Sequence, residues 1–140
     1  MTEKLAVLIL AAGQGTRMKS ALPKVLHQVA NRPMIGHALA AAQALKPERV
    51  IAVVGPGMES VAAAVAPVPT AVQQLQRGTG DAVMAARGAL NGFAGDVLVL
   101  YGDSPMTTPE TLGRLLAERQ RAKAAVAVIG MRPEEPGAYE

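Results

Sequence analysis

Apolar residues fall along this chain in short unbroken runs, separated by longer stretches with helical spacing. Four runs stand out, at residues 5–10, 50–54, 97–101 and 125–129, with a weaker fifth at 70–73. They are continuously apolar instead of alternating, which is the pattern of strands covered on both faces. Residues 33–45 begin on a helix-compatible proline and place Ile35, Leu39, Ala42 and Leu45 along one face, so a helix is expected there. Residues 59–66 predict a shorter helix ending before Pro67. Residues 81–90 predict an Ala-rich helix that Gly88 weakens. The clearest helix opens at Thr108, an N-cap threonine. Pro109 takes the first helical position, Glu110 lies near the positive end, and Leu112, Leu115 and Leu116 share one face.

Strands alternating with helices at this spacing predict right-handed βαβ units. The expected fold is therefore α/β, a Rossmann-like and mostly parallel sheet with helices on both faces. After the run at 125–129 the sequence stops at Glu140 without a closing element. A doubly wound sheet normally continues, so residues 1–140 are expected to be the first part of a larger domain, with a small complete domain as the alternative.

Composition narrows the chemistry. The 140 residues are 50% hydrophobic and 18% charged, which suits one packed domain and not disorder. Only 2% are aromatic, so a stacking platform for single-stranded nucleic acid is not expected. The net charge of +3 fits a handler of phosphate ligands and fits an ordinary solvated surface equally well. No basic block points to nucleic acid. The lack of cysteine excludes disulfides, thiolate zinc sites and thiol nucleophiles. The apolar stretch at 5–12 lacks a cationic leader, because Glu3 offsets Lys4, and no stretch approaches a membrane span. A soluble, cytoplasmic protein without a membrane partner is the expectation.

The first run ends in "LILAAGQGTRM". Ligands of open parallel sheets sit beyond the carboxyl ends of the strands. Gly13 and Gly15 strip side chains from that end, so that backbone N–H groups can approach an anion. Arg17, Lys19 and Lys24 add cationic donors; Arg17 offers a planar fork and Lys24 a point charge. A plain βα turn with solvated charges accounts for the same residues. Two familiar phosphate loops are excluded. Met18 stands where a G-x-G-x-x-G fingerprint needs its third glycine. It also stands where a G-x-x-x-x-G-K-[ST] loop needs its second.

Two further segments carry candidate chemistry. In "VLVLYGDSPM", Asp103 follows Gly102 at a strand's carboxyl end. One such carboxylate, with substrate phosphates, suffices for Mg²⁺; a turn aspartate bonding its own backbone is the alternative. In "QQLQRGTGDA", side-chain amides precede Gly78, Thr79 and Gly80. Gln73 and a bare backbone can read a pyrimidine edge. A loop leading into a helix capped by Thr79 or Asp81 is the simpler reading of that segment alone.

Taken together and in this order, "LILAAGQGTRMKSALPKVLH", "QQLQRGTGDA" and "YGDSPM" closely resemble the pyrophosphorylase domain of a bacterial family. That family is the bifunctional N-acetylglucosamine-1-phosphate uridylyltransferases/glucosamine-1-phosphate N-acetyltransferases. The resemblance covers essentially the whole chain. It implies that the backbone of Leu10, Ala11, Ala12 and Gly13 contacts uridine. Arg17 and Lys24 neutralise the triphosphate and the attacking phosphate. Gln73, Gly78 and Thr79 recognise uracil. Tyr101 and Gly102 line the pocket near ribose and sugar, Asp103 binds Mg²⁺, and the backbone around Ala138 meets the sugar's acetyl group. The chain departs from the family pattern at Asp81, where histidine is usual, at Ser104 and Met106, where valine and leucine are frequent, and in the segment Pro136, Gly137, Ala138, Tyr139 and Glu140, an imperfect match to P-x-G-Y-G.

The implied reaction is attack of a sugar-1-phosphate oxygen on the α-phosphorus of UTP, giving UDP-N-acetylglucosamine and pyrophosphate. It needs no protein nucleophile, in keeping with a chain that offers no cysteine and no triad. UTP and N-acetylglucosamine-1-phosphate are the expected partners. The family's β-helix acetyltransferase domain, which carries its homotrimer interface, is expected to be absent from these residues, and the isolated chain to turn over little. Two alternatives stand beside this reading. One is a nucleotidyltransferase of the molybdenum-cofactor type using GTP or CTP. The other is a non-catalytic nucleotide-binding or interaction module. His27 and His37 have no ligand partner at useful spacing.

Overall fold

A computed structural model describes residues 3–15 and 18–134. Along the chain its elements are β1 (Leu5–Leu10), β2 (Gln28–Val29), β3 (Arg32–Pro33), α1 (Met34–Ala44), β4 (Arg49–Val54), α2 (Glu59–Val65), β5 (Thr70–Val72), α3 (Thr79–Ala85), β6 (Asp96–Tyr101) and α4 (Pro109–Ala122). The chain divides into two compact units, Met1–Thr107 and Thr108–Glu140.

The first unit is wound around β1, whose six residues are all buried. It pairs in parallel with β4 on one side and β6 on the other, and β5 extends β4, giving the order β5-β4-β1-β6. Leu8 lies opposite Ile51 and Val99. Because side chains alternate across a strand, the sheet buries two different sets. Leu8, Leu10, Ile51 and Val53 form one cluster with Ala82 and Ala86, at α3 and its C-terminal end. Val7, Ile9, Ala52 and Val54 point to the opposite face and are buried as well. There α1 lies against β1, α2 against β4, and the two helices pack on each other. The doubly covered parallel sheet is the α/β architecture expected from the runs.

Local differences have physical reasons. In α1 the buried stripe is Ile35, Ala38, Ala41 and Ala42, and the expected Leu39 and Leu45 are only half-buried. Small side chains let the helix sit close to its neighbours, so alanines and not leucines make the contact. The helix expected at 81–90 begins earlier, at Thr79, and gives way to a 3₁₀ turn over Gly88–Leu90. On β6, burial alternates: Leu98 and Leu100 are inside, whereas Val97, Val99 and Tyr101 are exposed. Register puts Val99 and Tyr101 on the face that α3 covers, but α3 is seven residues long and lies over β1 and β4. An unforeseen hairpin, β2 against β3, turns through Ala30 and Asn31, both at positive φ, the geometry of a two-residue primed turn. His37 on α1 bonds the Val29 carbonyl through Nε2 (2.7 Å) and so holds that hairpin.

The second unit contains α4. Thr108 caps it as expected, its hydroxyl accepting from the Thr111 N–H at 3.3 Å. Lys123 ends it in the left-handed conformation. The expected strand at 125–129 does not form: Val126 and Val128 are exposed, and among the described residues no strand pairs with this run. Apolar β-branched composition gives a strand only where a neighbouring backbone takes its hydrogen bonds.

Candidate functional site

The carboxyl ends of the strands converge on a cavity of about 500 Å³, within the range of small-molecule sites. Three segments line it, and each is an extension of the sheet. Beyond β1, the Ala11 N–H donates to the Val53 carbonyl (2.8 Å), which fixes the start of the glycine loop. Beyond β5, the Gln73 N–H donates to the Val54 carbonyl (2.8 Å). Beyond β6, the Gly102 N–H donates to the Leu10 carbonyl (2.9 Å). The ladders therefore continue one residue past the strands, and the first residues of the site are tied to the sheet by backbone hydrogen bonds.

Of the residues singled out from the sequence, Leu10, Ala11, Ala12, Gly13, Lys24, Gln73, Gly78, Thr79, Tyr101 and Asp103 all line this cavity. Gly102 does not; it is buried, and a Cβ there would lie 3.1 Å from the Leu10 carbonyl oxygen and 3.2 Å from Val25. Its place is the close approach of the end of β6 to β1. Arg17 and Ala138 lie outside the described residues. Gln76 was not singled out by itself, yet it lines the cavity and donates to the Ala12 carbonyl at 2.6 Å. It ties the loop before α3 to the glycine loop. A long polar side chain in a loop gives no sequence signal that its partner is 64 positions away.

The two glycines of the first loop differ in what they permit. Gly15 has φ +61°, and a Cβ on it would stand 2.6 Å from the Lys24 Cβ. Any side chain there would both strain the backbone and push Lys24 aside. Gly13 has no protein atom within 4 Å of a built Cβ. What it leaves open is cavity.

Lys24 and Asp103 meet although 79 positions separate them: Lys24 Nζ donates to Asp103 Oδ2 at 2.8 Å. Among the described residues no hydrogen bond reaches the second carboxylate oxygen. The side chains are 39% and 36% exposed, so the pair faces the cavity mouth and adds at most about 1 kcal/mol to stability. A cation and an anion held where a ligand enters can each exchange partner. The ammonium can turn to an anionic ligand, and the carboxylate to a metal ion. No group of three potential metal-ligating side chains occurs among the described residues. The donor set thus fits a hard cation that takes most of its oxygens from a bound phosphate.

The sequence matches the family model for the MobA-like NTP transferase domain over residues 7–139. It is 55% identical over 139 residues to the bifunctional protein GlmU of Paramagnetospirillum magneticum, covering 99% of this chain and 31% of that protein. It is 57% identical over 137 residues to the bifunctional protein GlmU of Rhodospirillum rubrum, covering 97% of this chain and 31% of that protein. The chain thus spans about a third of the length of the curated relatives it matches. Among solved structures, Rv0371c of Mycobacterium tuberculosis H37Rv is similar with a TM-score of 0.71 and 25% identity, over 87% of this chain and 63% of that one. Rv0371c was also solved in complex with manganese, a structure that covers 85% of this chain and 60% of that one with a TM-score of 0.68 and 22% identity.

Proposed function

Since the chain belongs to the MobA-like NTP transferase domain family, we propose that this nucleotidyltransferase acts on UTP and a sugar-1-phosphate, N-acetylglucosamine-1-phosphate being the acceptor that the resemblance to GlmU proteins suggests. One observation supports the reading above the others. A lysine, a carboxylate and a buried amide from three distant segments converge beyond the carboxyl ends of β1, β6 and β5.

A phosphate oxygen of the acceptor attacks the α-phosphorus of UTP, the bond to the β-phosphate oxygen breaks, and pyrophosphate leaves. The protein's part is positioning and charge. The glycine loop presents backbone to the nucleotide. Lys24 turns from Asp103 to the phosphates, and Arg17 joins it in neutralising them. Asp103 holds Mg²⁺, which when bound supplies Lewis-acid stabilisation of the charge that develops on the phosphate oxygens. Gln73, with Gly78 and Thr79, reads the base, and Tyr101 lies beside the ribose and sugar.

Titration calorimetry of the chain with UTP, CTP, GTP and ATP, with and without Mg²⁺, tests this reading. UTP is expected to bind best, and only with the metal to bind tightly. Purine preference would instead favour chemistry of the molybdenum-cofactor type, and metal-independent or absent binding a non-catalytic module.

Gly13→Ala separates ligand contact from folding. The added methyl meets no protein atom within 4 Å, so stability should change by less than about 0.5 kcal/mol. UTP affinity should nevertheless fall at least about tenfold, because the methyl enters space that the nucleotide needs. Parallel thermal unfolding and UTP titration check this; unaltered affinity would place the nucleotide elsewhere.

A further inference from the structure

One cavity-lining amide has both of its hydrogens fixed by the protein. Gln73, 4% exposed, is the one polar side chain buried among the described residues. Its backbone is pinned to β4 through the Val54 carbonyl. Its side-chain nitrogen donates twice, to the Gly78 carbonyl at 3.1 Å and to Asp81 Oδ2 at 2.9 Å. A carboxamide nitrogen has two hydrogens, and both are consumed. Oε1 has no protein donor among the described residues. It is what the amide has left for a ligand in the cavity that Gln73 lines.

The reverse orientation is heavily disfavoured. Rotating the amide would bring Oε1 against a carbonyl and a carboxylate, two acceptors with no hydrogen to share. Gly78 contributes a backbone carbonyl, which every residue type would supply. Asp81 contributes a side chain, in the first turn of α3, that when ionised can only accept.

We propose that Asp81 is a specificity-determining positioning residue: by accepting from Gln73 Nε2 it holds the Gln73 amide as an acceptor toward the base, and so selects uracil over cytosine. The two pyrimidines differ at this edge. Uracil carries a hydrogen on N3, which Oε1 can accept. Cytosine N3 carries a lone pair, which meets Oε1 acceptor to acceptor. Selection therefore includes a repulsive element against the wrong base as well as an attraction to the right one. Histidine at this position, the residue usual in the related pattern, can present an N–H and would not impose the same direction. The inference rests on the reading of Gln73 as the residue that meets the base.

The experiment measures the dissociation constants of UTP and CTP, with Mg²⁺, for the parent chain, Asp81→Ala and Asp81→Asn. The ratio of the two constants is the readout. Removing a carboxylate near a triphosphate alters the affinity of both nucleotides alike, and any loosening of α3 weakens both alike, so these effects cancel in the ratio. The parent should favour UTP by at least about thirtyfold, the scale of one good hydrogen bond against one repulsive contact. Asp81→Ala should cut that preference by about tenfold, because the amide then turns with one acceptor opposing it in place of two. Asp81→Asn should restore only part of it, since Asn Oδ1 can accept from the same nitrogen but its Nδ2 can equally donate to a turned amide. Circular dichroism melting shows that each variant is folded. If the parent favours UTP and Asp81→Ala leaves the ratio unchanged, the role of Asp81 is overturned while the uridine reading stands. A parent that does not favour UTP over CTP overturns both.

Discussion

Asp103→Ala is expected to abolish the Mg²⁺ dependence of UTP binding and, with it, whatever nucleotidyl transfer the chain sustains. The loss follows from the donor set. Asp103 is the carboxylate on the cavity wall, and no cluster of three potential metal ligands offers a substitute among the described residues. The variant also unpairs Lys24, whose Nζ loses its 2.8 Å contact. The freed ammonium should turn to the triphosphate and keep metal-free binding near or above the parent's. The signature is thus a split: binding without Mg²⁺ is retained, the gain on adding Mg²⁺ is lost, and turnover falls. A folding defect would not give this split, because a pair about one-third exposed contributes little stability. UTP titrations over a series of Mg²⁺ concentrations are the measurement. An undiminished response to Mg²⁺ in the variant would remove Asp103 from the metal site.

The frame of this protein was readable because its signals are local. An unbroken apolar run between turn residues specifies β1 whatever surrounds it, and Thr108-Pro109 specifies the start of α4 by cap chemistry alone. The signals that misled depend on neighbours. Residues 125–129 have strand composition but no partner, and the run at β6 looked doubly buried although α3 is too short to reach over it. The candidate site divides in the same way. Gly13, Lys24, Gln73 and Asp103 could be named from residue type and position at strand ends. Their pairing could not. Each hydrogen bond among Lys24 and Asp103, Gln73 and Asp81, and Gln76 and Ala12 needs the fold before its partner is known. The hairpin at Ala30-Asn31 was missed for a related reason, since alanine at positive φ is dictated by the strands it joins and not by its own preference.

Leu8→Ala should destabilise the first unit by about 2–5 kcal/mol, toward the upper end of that range. Leu8 is fully buried in the central strand, opposite Ile51 on one neighbour and Val99 on the other. The cavity left by its side chain would be bounded by Ile51, Val53, Ala82 and Ala86. The alanine methyls cannot extend into it, and the β-branched side chains have little rotamer freedom to do so. Against a total stability of about 5–15 kcal/mol for a domain this size, the loss is severe. It also bears on the site, because the void opens beneath α3, which carries Thr79 and Asp81. Affinity for UTP should therefore weaken together with stability, and saturating UTP with Mg²⁺ should recover part of the loss, since a ligand that binds only the folded state stabilises it. Val97→Ala is the control: that side chain is 43% exposed on β6, and its removal should cost no more than about 0.5 kcal/mol. Urea unfolding of both variants, with and without nucleotide, makes the comparison. A cost below about 1 kcal/mol for Leu8→Ala would mean that α3 does not close that face of the sheet, and the seating of Asp81 against Gln73 would lose its foundation.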